Sequence, residues 1–201
     1  MIEAVELPVS ERLVLRGQVR RRGSDWVALV HAPGEDIDAW LPLPDRIASQ
    51  GMSVLALDLR GHGGSDGSAE PAAAHADVRA VIGHARSQGA RRVFVGAAGE
   101  SVAPALAAAT AERCDALFAL APTGEQPATS MSRFAVVGSR DPEQEAAGSA
   151  LVAGPGWSVV ARIPVDAGGC AVLKTSWGSN VEDYVLAFLR DQRRLPRPAV
   201  A

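Results

Sequence analysis

The 201-residue sequence has too little of several features to build some classes of protein. Its two cysteines, Cys114 and Cys170, are too few for a disulfide framework, so we expect half-buried free thiols. The net charge is −3, and the only basic run, residues 20–22, is too short to indicate a nucleic-acid partner. No apolar run approaches the ~20 residues of a membrane-spanning helix, and the N-terminus lacks the apolar segment of a signal peptide. We therefore expect a cytoplasmic protein with no membrane or nucleic-acid partner.

The chain has four histidines, and the last of them is His84, so the second half of the chain contains none. His75 and His84 are nine residues apart, which is not a metal-binding spacing. The sequence also lacks a Gly-x-Gly-x-x-Gly motif, a phosphate-binding loop and a His/Cys cluster. These absences predict that the protein uses neither a metal nor a cofactor.

Short apolar runs of the kind that form buried strands recur along the chain. They predict strands over residues 5–9, 13–19, 26–31, 53–58, 92–95, 116–121, 134–137 and 159–164. Apolar residues at helical spacing predict helices over residues 78–85, 102–109 and 181–189. Residues 179–182, Ser-Asn-Val-Glu, read as a capping box before the last of these helices.

Helices separate the later strands, whereas the first two strands have none between them. This order predicts an α/β three-layer sandwich with a mostly parallel sheet of seven to eight strands and an antiparallel start. We expect a single domain over residues 1–195 and a loose tail over residues 196–201. Only residues 122–132 separate the sixth and seventh strands, which is too short for a cap domain.

Four stretches occur in the order found in the α/β-hydrolase superfamily, and the chain resembles that family. The stretches are LVHAPGEDIDAW, VLALDLRGHGGSDG, VFVGAAGES and AVVGSRDPE, at residues 29–40, 54–67, 93–101 and 135–143. The resemblance implies an esterase-like or lipase-like serine hydrolase fold. It also implies that His31 and His62 are structural histidines that hydrogen-bond to loop backbones.

The resemblance implies a degenerate catalytic triad. If Gly96 is the first glycine of the family's Gly-x-Ser-x-Gly elbow, Ala98 lies at the nucleophile position. Asp141 matches the triad acid, although an Asp before a proline is equally common as a surface turn. The family's histidine would fall at or near Gly168 in IPVDAGGCAVL. No base is present there.

The oxyanion hole implied by the resemblance is also incomplete. One backbone donor, the N–H of Gly99, is present, but the other falls on Pro33, which has no N–H. The implied pocket and oxyanion region comprises His31, Ala32, Pro33, Ala98, Gly99, Glu100 and Cys170.

Three residues are candidate replacements for the missing catalytic groups. Ser101 lies beyond the elbow and is expected to cap the helix that follows. Cys170 lies near the missing histidine, but no base or cation is evident beside it. Glu100 is a candidate for a carboxylate pair with Asp141, at a separation that the sequence leaves open.

The leading hypothesis is a catalytically degenerate α/β-hydrolase-fold protein, a pseudoenzyme that binds a small apolar ligand or a protein partner. The alternative is an active hydrolase of small esters or thioesters with an unusual set of catalytic residues. A third hypothesis is an accessory subunit that forms a dimer through an edge strand or an exposed helix. The sequence names no ligand or partner, since a fold alone does not specify a function.

Overall fold

The computed structural model describes residues 1–195, and the predicted tail over residues 196–201 lies outside this range. One sheet contains eight strands in the order β1-β2-β4-β3-β5-β6-β7-β8. The strands are β1 Glu3–Ser10, β2 Leu13–Arg20, β3 Asp25–Val30, β4 Ser53–Leu57, β5 Arg92–Ala98, β6 Ala116–Leu120, β7 Ser132–Gly138 and β8 Ser158–Ile163. β2 pairs antiparallel with β1 and β4, and every other pair is parallel. The eight predicted strands and the antiparallel start are confirmed.

Helices cover both faces of the sheet, which confirms the predicted three layers. They are α1 Leu43–Ser49, α2 Ala74–Ser87, α3 Val102–Ala111, α4 Pro142–Val152 and α5 Gly178–Arg194. Apolar residues of α2, α3 and α4 belong to one core cluster, and those of α1 and α5 belong to the other. β6 and β7 are joined by residues 121–131 without a helix or strand, so no cap domain lies between them. Within residues 1–195, no helix has the length and apolar character needed to cross a membrane.

Two features of the helices differ from the sequence predictions. α5 begins at Gly178, its N-cap residue is Trp177, and no side chain caps it. The predicted capping box is therefore wrong, because Ser179 already lies inside the first turn. α1 and α4 were not predicted at all, since α1 has only seven residues and the buried stripe of α4 includes a glutamine and a glycine.

The centre of the sheet is tightly packed where β5 and β6 meet. Both strands are almost completely buried, and the ring of Phe118 on β6 lies against the backbone of Gly96 on β5. The edge of Phe118 also contacts Trp40, with ring centroids 6.1 Å apart. Gly96 thus provides the space that this aromatic pair occupies, and the pair supports the strand that leads to the candidate site.

Gly96→Ala should destabilise the protein, because the added methyl group would overlap the buried ring of Phe118. We expect a loss of about 1–3 kcal/mol in the free energy of unfolding, measured by urea denaturation. Gly83→Ala is the matched control, since Gly83 is exposed within α2 and has open space around it. That change should stabilise by about 0.4–1 kcal/mol. Equal stability of the two variants would contradict the packing described for Phe118.

Candidate functional site

The turn after β5 has the backbone of a nucleophile elbow but no nucleophile. Ala98 is the last strand residue, fully buried and extended, with φ −129° and ψ 146°. Gly99 follows with φ +54°, and a short 3-10 turn, Gly99–Ser101, leads into α3. The strained strand-to-helix position of an elbow is therefore Gly99, one residue later than the motif placed it. Neither a methyl group nor a glycine hydrogen can attack a carbonyl.

Three loops meet in contact at this elbow. A Cβ atom built on Gly99 would lie 3.0 Å from Cβ of Ala32 and 3.6 Å from Cα of Gly169. Ala32 belongs to the loop after β3, and Gly169 to the loop after β8. A side chain at Gly99 would therefore crowd Ala32 and contact Gly169.

Glu35, which the sequence analysis missed, joins two of these loops. The N–H of Glu35 donates to the carbonyl of Ala32 at 3.1 Å, across Pro33 and Gly34, and Gly34 has φ +80°. Proline followed by a positive-φ glycine is typical of a type II turn. The turn brings the Glu35 carboxylate back to accept the Ala32 N–H at 3.0 Å and the Cys170 N–H at 2.9 Å.

The same carboxylate fills the place of a side chain at position 169. A Cβ atom built on Gly169 would lie 2.6 Å from Oε1 of Glu35, and Gly169 has φ +52°. Gly168, the predicted base position, is extended, and a Cβ there would have open space around it. The residue that contacts the elbow is therefore Gly169, and Glu35 blocks it.

His31 and His62 bond to loop backbones, as the resemblance implied. Nε2 of His31 accepts the Leu59 N–H at 3.0 Å, so its Nδ1 carries the proton and donates to the Ala32 carbonyl at 2.8 Å. Nε2 of His62 accepts the Gly34 N–H at 3.1 Å, and Nδ1 of His62 lies 2.9 Å from the backbone carbonyl of Arg60. Burial lowers the pKa of His31 below its usual value. Both ring nitrogens of each histidine are engaged with backbone groups, so neither residue has a ring nitrogen free to act as a base.

Asp141 follows β7, where the sequence placed the triad acid, and caps α4. Its carboxylate accepts the backbone N–H groups of Glu143 at 2.9 Å and Gln144 at 3.2 Å. It also accepts a hydrogen bond from Nε2 of Gln144 at 2.8 Å, and the same nitrogen donates to the carbonyl of Ala167. Asp141 therefore acts here as a helix cap connected through Gln144 to the loop after β8.

The proposed replacement residues are not assembled into a site. Ser101 is buried and is the N-cap residue of α3, as predicted, but its side chain makes no capping hydrogen bond. Cys170 is fully buried, and burial raises the pKa of its thiol far above the usual value, so it stays protonated. Glu100 is exposed and does not pair with Asp141. Cys114 and Cys170 are both free, and no cluster of residues suited to a metal ion occurs between residues 1 and 195.

Glu35→Ala should destabilise the protein, because the N–H groups of Ala32 and Cys170 would lose a charged acceptor. We expect a loss of about 2 kcal/mol in unfolding free energy, measured by urea denaturation. Glu100→Ala is the control: Glu100 is exposed, so its variant should stay within about 0.5 kcal/mol of the unsubstituted protein. A Glu35→Ala variant as stable as the Glu100→Ala control would show that the two bonds do not hold the loops together.

Comparisons with known proteins agree with this geometry. The family model described as serine aminopeptidase, S33, matches residues 23–148, which is more than half of the chain. Est1E from Butyrivibrio proteoclasticus, solved with ferulic acid, has a TM-score of 0.82 at 15% identity, covering 95% of this chain and 100% of its own. A predicted CIB-like hydrolase from Thermoplasma acidophilum has a TM-score of 0.75 at 18% identity, covering 95% and 99%.

An esterase from Pyrococcus furiosus is also similar, with a TM-score of 0.78 at 14% identity, covering 96% of this chain and 91% of its own. No curated protein sequence matches the chain. The structural likenesses, at such low identity, show the fold alone, whereas the family model matches the sequence itself. The chain therefore belongs to the serine aminopeptidase S33 family of α/β hydrolases.

Proposed function

We propose that this chain is a catalytically degenerate member of its family, one that binds a ligand or partner instead of cleaving an ester or peptide bond. The observation that carries the proposal is the filled space at the elbow. Ala32, Gly169 and the Glu35 carboxylate occupy the volume that a nucleophile, a base and a substrate carbonyl would need.

Acyl transfer needs a nucleophile, a base that takes its proton and backbone donors for the oxyanion. At this elbow the nucleophile position is Gly99, and the facing position in the loop after β8 is Gly169. One oxyanion donor is missing at Pro33, and the nearby N–H of Ala32 already donates to Glu35. The proposed loss therefore includes the nucleophile, the base and one oxyanion donor.

The alternative, an active hydrolase with an unusual set of catalytic residues, has one observation in its favour. The hydroxyl of Ser101 makes no capping hydrogen bond and borders a small pocket. A serine needs a base in hydrogen-bond contact to become nucleophilic. His62, which borders the same pocket, already uses both ring nitrogens for backbone groups. This arrangement favours the non-hydrolytic reading.

The protein should not be labelled by a fluorophosphonate probe and should not hydrolyse p-nitrophenyl acetate faster than a heat-denatured sample. Both expectations follow from the missing nucleophile and base. Intact-protein mass spectrometry and initial-rate measurements check them. Stoichiometric labelling that maps to Ser101 would favour the alternative function instead.

Serine substitutions at the elbow should not create an esterase. In Gly99→Ser, a serine would have to adopt a left-handed backbone conformation, and its Cβ would lie 3.0 Å from Cβ of Ala32. We therefore expect a loss of about 1–3 kcal/mol in stability and no turnover. Ala98→Ser would bury a hydroxyl in the core, again without a base. Combining Ala98→Ser with Gly168→His should give at most feeble activity, because position 168 has open space around it and does not contact the elbow.

These variants are compared by their rates on one activated ester and by urea denaturation. Gly168→His alone is the control for non-specific catalysis by an added imidazole. Robust turnover by either single serine variant would show that a base is already in place, and the degenerate reading would then fail.

A further inference from the structure

A small pocket of about 50 Å³ lies beside the elbow but is separate from the filled catalytic position. It is bordered by the loop after β4, by the start of α2 and by Ser101 before α3. Its lining is largely apolar and includes Pro33, Leu59, Pro71 and Ala74. Neither Gly99, Gly169 nor Glu35 borders it, so the contacts that close the elbow leave this pocket open.

Ser101 gives the pocket a hydrogen-bonding group. The residue is only 3% exposed, its side chain makes no capping hydrogen bond, and it borders the pocket. A serine hydroxyl can both donate and accept a hydrogen bond. A bound molecule with a hydroxyl or carbonyl group would hydrogen-bond to it.

The charged groups at the inner wall of the pocket are paired with each other. Asp77 is fully buried and holds Arg60 in a two-pronged ion pair, with Nε 2.9 Å from Oδ2 and Nη2 2.6 Å from Oδ1. Both ring nitrogens of His62 are engaged with backbone groups. Glu70 lies at the exposed side, where its carboxylate accepts the hydroxyl of Ser68. The inner wall is therefore apolar and electrically balanced.

We propose that this pocket binds a small uncharged ligand, a short aliphatic alcohol, aldehyde or ketone, whose oxygen bonds with the hydroxyl of Ser101. The apolar lining would accept the alkyl chain, and the volume limits that chain to a few carbon atoms. At the inner wall, where Arg60 and Asp77 are already paired, a cationic or anionic ligand would lose its hydration without gaining a countercharge. The inference rests on the proposed binding function and gives that function a ligand class.

The test uses the full-length ¹⁵N-labelled protein and follows backbone amide signals by NMR during titration with 1-propanol. We expect saturable shifts at Leu59, His62, Ala74 and Ser101, with half-saturation at roughly millimolar concentration. Propionate and propylammonium, which have similar alkyl chains and opposite charges, should bind at least about tenfold more weakly.

Two variants and a control locate the binding. Ser101→Ala should weaken binding about fivefold, the value of one hydrogen bond. Ala74→Leu should abolish it by filling the pocket. Ser179→Ala is the control, because Ser179 is exposed on α5 and should leave the affinity unchanged.

Three results would overturn the proposal: shifts that never saturate, an ion that binds as tightly as propanol, or a Ser101→Ala variant with unchanged affinity. Because Ser101→Ala only removes a hydroxyl, it tests the site even where Ala74→Leu fails to fold. The ester assays are independent of this titration. If the protein neither binds propanol nor hydrolyses the ester, only the ligand proposed for the pocket is refuted. Hydrolysis of the ester would instead refute the proposed function.

Discussion

The carboxylate of Glu35 accepts one backbone N–H from each of two loops, and the closed geometry of the site depends on this pair of bonds. The loops follow β3 and β8, and Glu35 and Cys170 are 135 positions apart in the chain. The donors, Ala32 and Cys170, flank the elbow on either side. In a hydrolase, such converging donors would serve an oxyanion that forms during the reaction. Here both N–H groups donate to the carboxylate of Glu35, so a side chain of the protein itself is bound between them.

The elbow shows that backbone geometry and chemistry are separable. A strand that turns sharply into a helix needs a residue that tolerates positive φ, and Gly99 meets that need more easily than serine does. Without a nucleophile to present, the strain of a non-glycine residue has no use. Gly169 takes positive φ where it contacts Ala32 and Glu35 of the loop after β3, whereas Gly34 takes it within the type II turn. Gly99 and Gly169 therefore let the elbow and the loops around it approach closely.

Much of the fold could be predicted because buried parallel strands appear as continuous apolar runs, as in Val93–Val95 before Gly96. α4 could not be predicted in this way. Its buried stripe consists of Gln144, Ala147, Gly148 and Leu151, and two of these are not recognised as apolar. Gln144 is buried because it bonds to Asp141 and to the Gly138 N–H, and Gly148 because a larger residue would strike Val137. Both reasons are tertiary contacts, which local periodicity does not contain.

The candidate site, too, could be predicted only where local sequence carries the information. The sequence could place the elbow to within one residue, but it could not find Glu35, whose role exists only once the loops after β3 and β8 are adjacent. The histidines connect these two levels. His62 accepts the N–H of Gly34 within the turn that presents Glu35, and His31 ties Leu59 to the end of β3. Through these bonds the two rings hold the turn in the position from which Glu35 bonds to the loop after β8. Residues that match the structural part of the family's motifs therefore support the turn that presents the Glu35 carboxylate.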